Sequence, residues 1–347
     1  MKTVYVGLSG GVDSSVAAAL LKQRGYNVVG VYMKNWSQDL PGVPCPWKDD
    51  YQDAKRVAVQ LGIPFKLYDF HKQYKQKVVD YMLAEFKAGR TPNPDVMCNQ
   101  EIKFKLFLET ALQDGADLIA TGHYARVKDG SLHMAKDDNK DQTYFLYRVG
   151  QKALDKTLFP LGELTKPQVR ELAKQFKLVT AHKKESMGIC FVGKVGIKDF
   201  LKQYVDEKPG KVINQSGSLV GEHDGAIFYT IGQRHGLAVG GGLPYYVTGK
   251  DMKKNEVYVT TDLQDEKLWS GQVRLAEMHW INDAPKNNQT ISVRLRHRAK
   301  LTPVKLLNKL SNSDIVADLG EEVRALTPGQ SAVFYSGSTC LGGGIVI

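Results

Sequence analysis

The sequence predicts an α/β chain in three parts: an N-terminal domain on a parallel sheet, a small glycine-rich β central domain and a C-terminal β-barrel. Three observations predict it. Apolar runs of strand length alternate with helix-periodic stretches through the first half of the chain. Past about residue 205 glycines punctuate short runs and the helical pattern nearly vanishes. A strand, a glycine turn and a helix stand together at the start, in VYVGLSGGVDSS at Val4–Ser15.

In that first unit Val4, Tyr5 and Val6 read as a buried strand, and Val16–Gly25 (VAAALLKQRG) reads as a helix stopped by Gly25. The turn between them aims backbone N–H groups and a helix N-terminus at an anion. Asn27–Met33 is a second strand, and the prolines of residues 36–50 make a loop. Asp53–Leu61 reads as helix, Phe65–Phe70 as strand and His71–Lys87 as helix. Arg90–Asn99 reads as a stiff, non-helical loop because of Pro92 and Pro94, ahead of a helix over Glu101–Asp114. Asp117–Thr121 is a fourth strand, and Arg126–Lys136 a hairpin around Asp129-Gly130. Thr165 caps a helix to Phe176 with Pro167 in its first turn. Val257–Thr260, Gln272–Ala276, Ile291–Leu295, Ser331–Tyr335 and Gly344–Ile347 read as strands. The expected boundaries are 1–204, 205–268 and 269–347.

The chain has 347 residues, of which 42% are hydrophobic, enough for a real core. No apolar run reaches the roughly 18 residues of a membrane span, and Met1-Lys2-Thr3 leads straight into a strand, so no membrane partner and a cytoplasmic location are expected. Four cysteines, Cys45, Cys98, Cys190 and Cys340, lack the paired spacing of a zinc ribbon, and no metal ligand set is expected from them. The formal charge is +10, and no acidic residue lies between Asp283 and Asp314. That window holds Lys286, Arg294, Arg296, Arg298, Lys300, Lys305 and Lys309, which reads as a basic strand facing nucleic acid.

Polar residues recur where parallel strands end, which is where such sheets bind ligands. These are Ser9–Ser15, Met33 and Gly122-His123-Tyr124. The Arg90–Asn99 stretch carries a carboxylate and a thiol three positions apart, Asp95 and Cys98. Cys98 is expected just ahead of a helix N-terminus, where thiolate is favoured. Ala181–Gly193 reads as a loop bearing Cys190, with Lys183 and Lys184 upstream, which either lower its pKa or belong to an ordinary solvated loop. Cys340, beside Leu341 in a strand, reads as core.

SGGVDSS lacks the spacing of a Walker A loop and of GxGxxG, and resembles the PP-loop of ATP pyrophosphatases, of adenine nucleotide alpha-hydrolase-like fold. With GRTPNPDVMCNQEIKF, ATGHYA, KDQTYFLY, KPQVRELA, GICFVG, GEHDGAIFYTIGQRHGL and TPGQSAVFY…CLGGGI, it makes the whole chain similar to the bacterial tRNA-specific 2-thiouridylase family. The resemblance implies ATP-dependent sulfur transfer to the wobble uridine of tRNAs for Lys, Glu and Gln. It implies ATP and Mg²⁺ as cofactors, tRNA as partner, and a cysteine desulfurase or relay protein as persulfide donor. Gly7, Leu8, Ser9, Gly10, Gly11, Val12, Asp13 and Ser14 would hold ATP phosphates, with Met33 and Gly122 at the adenosine. Asn93, Pro94 and Asp95 would meet the target base. Cys98 would be the nucleophile, Cys190 the persulfide carrier and Asp95 a proton carrier. His123, Lys140, Asp141, Gln142, Arg296, His297 and Gln330 would touch tRNA.

The implied chemistry adenylates the uracil C2 oxygen, expels pyrophosphate and delivers sulfur to C2. The persulfide attacks directly or Cys98 releases its sulfur first; both orders stand. Rival readings are an amidating ligase of the same loop class, another tRNA modifier, or a non-catalytic RNA-binding protein. The first lacks a visible ammonia source and gives no reason for two loop cysteines; pyrophosphate release stimulated by tRNA would remove the last.

Overall fold

The structure is a computed structural model of the chain, and it describes residues 1–39, 45, 47–184, 196–237, 239–240, 242, 244–286, 289–309 and 314–347. Strands β1 (Thr3–Gly7), β2 (Asn27–Lys34), β3 (Phe65–Asp69) and β4 (Leu118–Ala120) precede a hairpin, β5 (Arg126–Lys128) and β6 (Ser131–His133), and the short β7 (Thr157–Leu158). Five of these form one parallel sheet in the order β3-β2-β1-β4-β7. The period of two sorts its side chains. Val4, Val6, Val28 and Tyr32 face α1 (Val12–Gln23) and α2 (Trp47–Leu61). Tyr5, Val29 and Val31 face the helical segments 71–87 and 94–113. Helix α1 is apolar nearly all round because a further helix, Lys166–Gln175, covers its outer side through Val169 and Ala173.

The glycine-rich middle forms a four-stranded sheet of β8 (Gly210–Ile213), β9 (Leu219–His223), β10 (Tyr246–Asp251) and β11 (Glu256–Thr260). Next come β12 (Trp269–Trp280), β13 (Ile291–Arg294), β14 (Thr302–Lys309), β15 (Ile315–Arg324), β16 (Ser331–Ser336) and β17 (Thr339–Val346). They run in the order β12-β15-β14-β13-β16-β17, and β12 pairs with β17 to close a six-stranded barrel. Val273, Leu275, Val293, Ala317 and Phe334 fill it.

Three expectations are corrected. The Arg90–Asn99 stretch is not wholly loop: helix begins at Pro94 and continues through a π-helical stretch, Cys98–Leu106, to Gln113. Pro94 is compatible because it stands at the first helical position, where its missing N–H is no loss, and Asn93 caps the turn by accepting from the Asp95 N–H at 3.2 Å. Cys98 therefore sits inside the helix rather than ahead of it. Helix α2 begins at Trp47, six residues before the expected Asp53. The expected hairpin is there, but β6 adds to the barrel: Thr339 pairs with His133 and Cys340 with Leu132. The N-terminal domain thus lends two strands to the barrel's sheet.

Candidate active site

Gly11 precedes α1 as an N-cap with no side-chain hydrogen bond, so the first helical N–H groups are left to a ligand. The loop is held from within instead. Ser14 Oγ accepts from the Ser9 N–H at 3.1 Å and donates to the Gly11 carbonyl at 3.1 Å, and Ser15 Oγ donates to the same carbonyl at 2.8 Å. Gly10 has φ of +74° and lies against the Asp50 backbone of α2, so only glycine fits. Gly122, at the end of β4, packs so tightly on α1 that a Cβ there would lie 2.7 Å from the Ser14 nitrogen. A Cβ on Gly7 would meet the Met33 methyl at 2.9 Å. Gly7, Met33 and Gly122 thus pack closely around the loop.

Asp13 carries the one carboxylate of this turn. Lys166 Nζ donates to it at 2.7 and 2.8 Å, and the Tyr124 hydroxyl at 2.9 Å. Lys166 went unread in the sequence, although it stands at a helix start directly after its capping threonine. For a divalent cation the residues fit only a phosphate-borne ion: among the described residues no cluster of three or more His, Cys, Asp or Glu could hold a metal. Mg²⁺ characteristically takes one or two carboxylates plus phosphate oxygens, and Asp13 is placed to be one of them.

The helix 94–113 runs back to β4, antiparallel to the strands, so its N-terminal end lies at the same sheet edge as the glycine loop. Asp95, Cys98 and Asn99 share one face of it by their i, i+3, i+4 spacing. Asn93 and Asp95 are half-buried, and Pro94 and Cys98 are buried. The same helix meets the sheet edge through Phe104, whose ring lies 5.6 Å from His123. Phe159 closes the other side of the imidazole at 6.2 Å, and Thr121 Oγ1 is 2.8 Å from its Nδ1. Burial, with Lys103 adding to it, holds His123 well below the usual imidazole pKa. Neutral and enclosed by rings, it packs the helix against the nucleotide edge.

The barrel and the central domain close the opposite side. Thr91 donates its N–H to the Pro328 carbonyl at 2.8 Å, its carbonyl accepts from Gln330 at 2.8 Å, and its hydroxyl lies 3.2 Å from Thr230 Oγ1. A Cβ on Gly329 would lie 2.8 Å from the Thr91 nitrogen. Gln330, expected at tRNA, is therefore also a brace for the Asn93–Asp95 turn. Beside it opens a pocket of about 330 Å³ lined by Thr230, Gln233, Arg296, Thr327 and Gln330. Arg296 is anchored to the Ala325 carbonyl at 2.7 Å and to Thr327 Oγ1 at 3.1 Å. His297 lays its ring 4.5 Å from Phe145, whose carbonyl accepts from Asn99 Nδ2 at 3.0 Å. Burial pushes His297 down to about 4, with Arg298 adding to it, so the ring is neutral at pH 7.

The expected roles of the remaining residues divide. Lys140 and Gln142 are half-buried, and Gln142 accepts from the Tyr124 N–H at 2.9 Å. The Asp141 side chain is buried, paired with Arg294 at 3.0 Å and bonded to Thr143 at 2.8 Å. Arg294 is likewise withdrawn from the expected basic face, and Lys300 pairs with Glu321 at 3.1 Å. The acid-free window draws its counter-charges from elsewhere in the fold. Lys183 is also committed, to Asp50 at 2.8 Å and Asp53 at 2.7 Å, rather than free to act on a thiol. Cys190 lies outside the described residues. Cys340 is fully buried and its thiol pKa is pushed far up by burial, as a core residue. Cys45 is half-buried and its pKa is raised, first by burial. No helix among the described residues is long and apolar enough to cross a membrane.

Three family models match in succession. That described as tRNA methyl transferase HUP domain covers residues 2–194, tRNA methyl transferase PRC-barrel domain 198–261, and Aminomethyltransferase beta-barrel domain 270–346. The tRNA-specific 2-thiouridylase MnmA of Bacillus cytotoxicus is 50% identical over 351 aligned residues, covering 99% of this chain and 94% of that protein. That of Bacillus thuringiensis (strain Al Hakam) is 49% identical with the same coverage. Among solved structures, a 4-thiouridine synthetase–RNA complex with bound ATP aligns over 53% of this chain and 43% of its own, at 18% identity and a TM-score of 0.38, too distant to carry any argument. By identity over nearly its whole length, with the nucleotide loop, the Asp95–Cys98 helix and the closed barrel all in place, the chain belongs to the tRNA-specific 2-thiouridylase (MnmA) family.

Proposed function

We propose that this chain is an ATP-dependent tRNA-uridine 2-sulfurtransferase acting on the wobble uridine, in tRNAs for Lys, Glu and Gln. The observation that carries the reading is the 50% identity, over 99% of the chain, to a protein named for this activity. The division into domains 1–204, 205–268 and 269–347 assigns catalysis to the first and most RNA contact to the last.

ATP phosphates would rest on the Gly7–Ser14 loop at the α1 terminus, with Met33 and Gly122 beside the adenosine. Mg²⁺, held by the phosphates and Asp13, would supply charge neutralisation. Asn93 and Pro94 would hold the flipped uracil, which must leave its stack to enter so enclosed a site. The uracil O2 attacks the α-phosphorus, the α–β bridge bond breaks and pyrophosphate leaves. The ring is then cationic, and Asp95 balances that charge and carries the proton, a role worth very roughly 10²–10⁴ in rate. The terminal persulfide sulfur on Cys190 attacks C2, and the C2–O bond to AMP breaks. Cys98 thiolate attacks Cys190 Sγ, leaving the sulfur on C2 and a Cys98–Cys190 disulfide that an external thiol reductant reopens. In the alternative order Cys98 first frees the terminal sulfur as hydrosulfide, which then attacks C2. His123, Lys140, Gln142, Arg296, His297 and Gln330 would meet the tRNA. A cysteine desulfurase or sulfur-relay protein would load Cys190.

Nucleoside mass spectrometry tests this. Unmodified tRNA for Glu is incubated with the protein, Mg-ATP and a persulfide source, beside Cys98→Ser and Cys190→Ser. Wobble 2-thiouridine in the wild-type reaction, lost in both variants, is the expected result. Pyrophosphate release without a thiolated base would point to a missing sulfur carrier or a different nucleophile, and the absence of both would overturn the reading in favour of an RNA-binding protein.

A further inference from the structure

The Asn99 side chain is 2% exposed, and its amide is oriented by one hydrogen bond: Nδ2 donates to the Phe145 carbonyl at 3.0 Å. That bond fixes which end is oxygen. The oxygen, Oδ1, is buried without a hydrogen-bond partner. An acceptor left so loses its hydration without replacement, and each such atom in a folded protein calls for an explanation. Its position supplies one. Asn99 follows Cys98 and stands one helical turn beyond Asp95 on the same face. His297, whose ring lies 4.5 Å from that of Phe145, presents a second buried unpartnered atom, Nδ1.

We infer that Asn99 is a specificity-determining residue, whose Oδ1 accepts the N3–H of the target uracil. The inference rests on the proposed uridine thiolation and deepens it. N3 is bonded to C2, the carbon that receives sulfur, so the reader of N3 belongs beside the residue that works at C2. Uracil offers a donor at N3, whereas cytosine offers a lone pair there. A fixed acceptor therefore admits uracil and leaves cytosine with two facing acceptors. As a neutral amide Asn99 reads the proton without removing it, which leaves proton transfer to Asp95. The Phe145 carbonyl keeps the amide from turning its NH₂ towards the base, and so maintains the discrimination.

The experiment measures tRNA binding by full-length protein with α,β-methylene-ATP bound. One tRNA is prepared with uridine, cytidine or 3-methyluridine at position 34. Wild type should favour uridine over each of the others by at least about tenfold. Asn99→Ala should bind all three within about twofold of one another, with its loss confined to uridine. Asn99→Leu, which keeps the bulk but offers no acceptor, should behave alike, and both should melt cooperatively. A buried water at Oδ1 in place of a base contact would show as an unchanged uridine preference in both variants, and that result overturns the inference. So does a wild type that binds the three tRNAs equally. Wobble thiolation by wild type, followed in parallel, separates the two levels: if it is absent the proposed function fails, and if it is present with the base preference unmoved only the Asn99 assignment fails.

Discussion

Asp141 and Arg294, 153 residues apart, meet as a buried ion pair at 3.0 Å between the N-terminal domain and strand β13 of the barrel. Asp141 also accepts from the Ala135 N–H at 3.1 Å, and the Arg294 guanidinium lies 5.3 Å from the Tyr335 ring centroid. A pair so enclosed is costly to break, because the survivor keeps an uncompensated charge. Asp141→Asn and Arg294→Met should each cost about 3–5 kcal/mol. The double variant should cost less than the sum of the two. Urea unfolding midpoints check this, and single losses under about 1 kcal/mol would mean the pair does not hold the domains together.

Lys166 neutralises Asp13 on the first turn of α1, where phosphates are proposed to bind. Lys166→Met leaves that carboxylate facing an anionic ligand. The expected result is a KM for ATP in pyrophosphate release raised about tenfold, the size of one lost charge-assisted hydrogen bond, with tRNA affinity unchanged. Asp13→Ala should abolish pyrophosphate release and leave tRNA binding intact; loss of both would assign Asp13 to folding.

Lys183 pins the segment that leads towards Cys190 to Asp50 and Asp53 of α2, and Arg170 holds the Ala181 and Lys183 carbonyls at 3.0 and 2.7 Å. Asp50 in turn lies against Gly10 of the nucleotide loop. Lys183→Met should lower thiolation about tenfold or more, the effect of a displaced reacting group. Pyrophosphate release should stay near wild type. Lys183→Arg, which can still pair with both carboxylates, should recover most of the loss. Equal losses of both activities in Lys183→Met would refute a role specific to sulfur delivery.

The thiols separate by position. Cys98 lies on the Asp95 face, whereas Cys340 is enclosed by the β17–β6 seam and its thiol pKa is pushed far up by burial. Cys98→Ser should abolish thiolation while pyrophosphate release continues. Cys340→Ala should retain thiolation, with a small loss of stability read by thermal unfolding. A thiolation defect in Cys340→Ala at permissive temperature would contradict its assignment to the core.

His297 has a folded pKa of about 4, below the roughly 6.5 of an unfolded histidine. Between those values the unfolded chain binds more protons, so stability rises with pH. The contribution is fully present above about pH 6.5 and is lost as pH falls to about 4. His297→Gln should flatten that part of the stability profile, measured by urea unfolding at stepped pH. His123, also depressed by burial, adds to the loss of stability as pH falls below about 6.5. A slope unchanged in both single variants would show that neither ring is buried neutral.

The legible parts were those encoded locally. SGGVDSS announced a strand, an open glycine turn and a helix, because the required conformations belong to a dozen adjacent residues. The alternation of strand and helix announced the parallel sheet, and Thr165 with Pro167 announced its helix start. The misreadings came from weighing one local rule alone. Pro94 was taken as a breaker although, after an Asn cap, it is a favoured helix opener. β14 and β15 were not resolved as strands, since their apolar residues become interior only when the barrel closes.

By itself the sequence determined the strand–glycine turn–helix unit at Val4–Ser15 and the order of the three folds, because side-chain type and short-range backbone preference suffice for these. Tertiary structure alone decided which charges remain available. Asp141, Arg294 and Lys183 read as exposed or reactive along the chain, yet each is consumed by a partner more than a hundred residues away. It also decided that an N-terminal hairpin completes the barrel's sheet and that Thr91 is braced by Gln330. Strand edges and buried charges are satisfied by whatever the fold brings near them, and sequence spacing holds no record of that pairing.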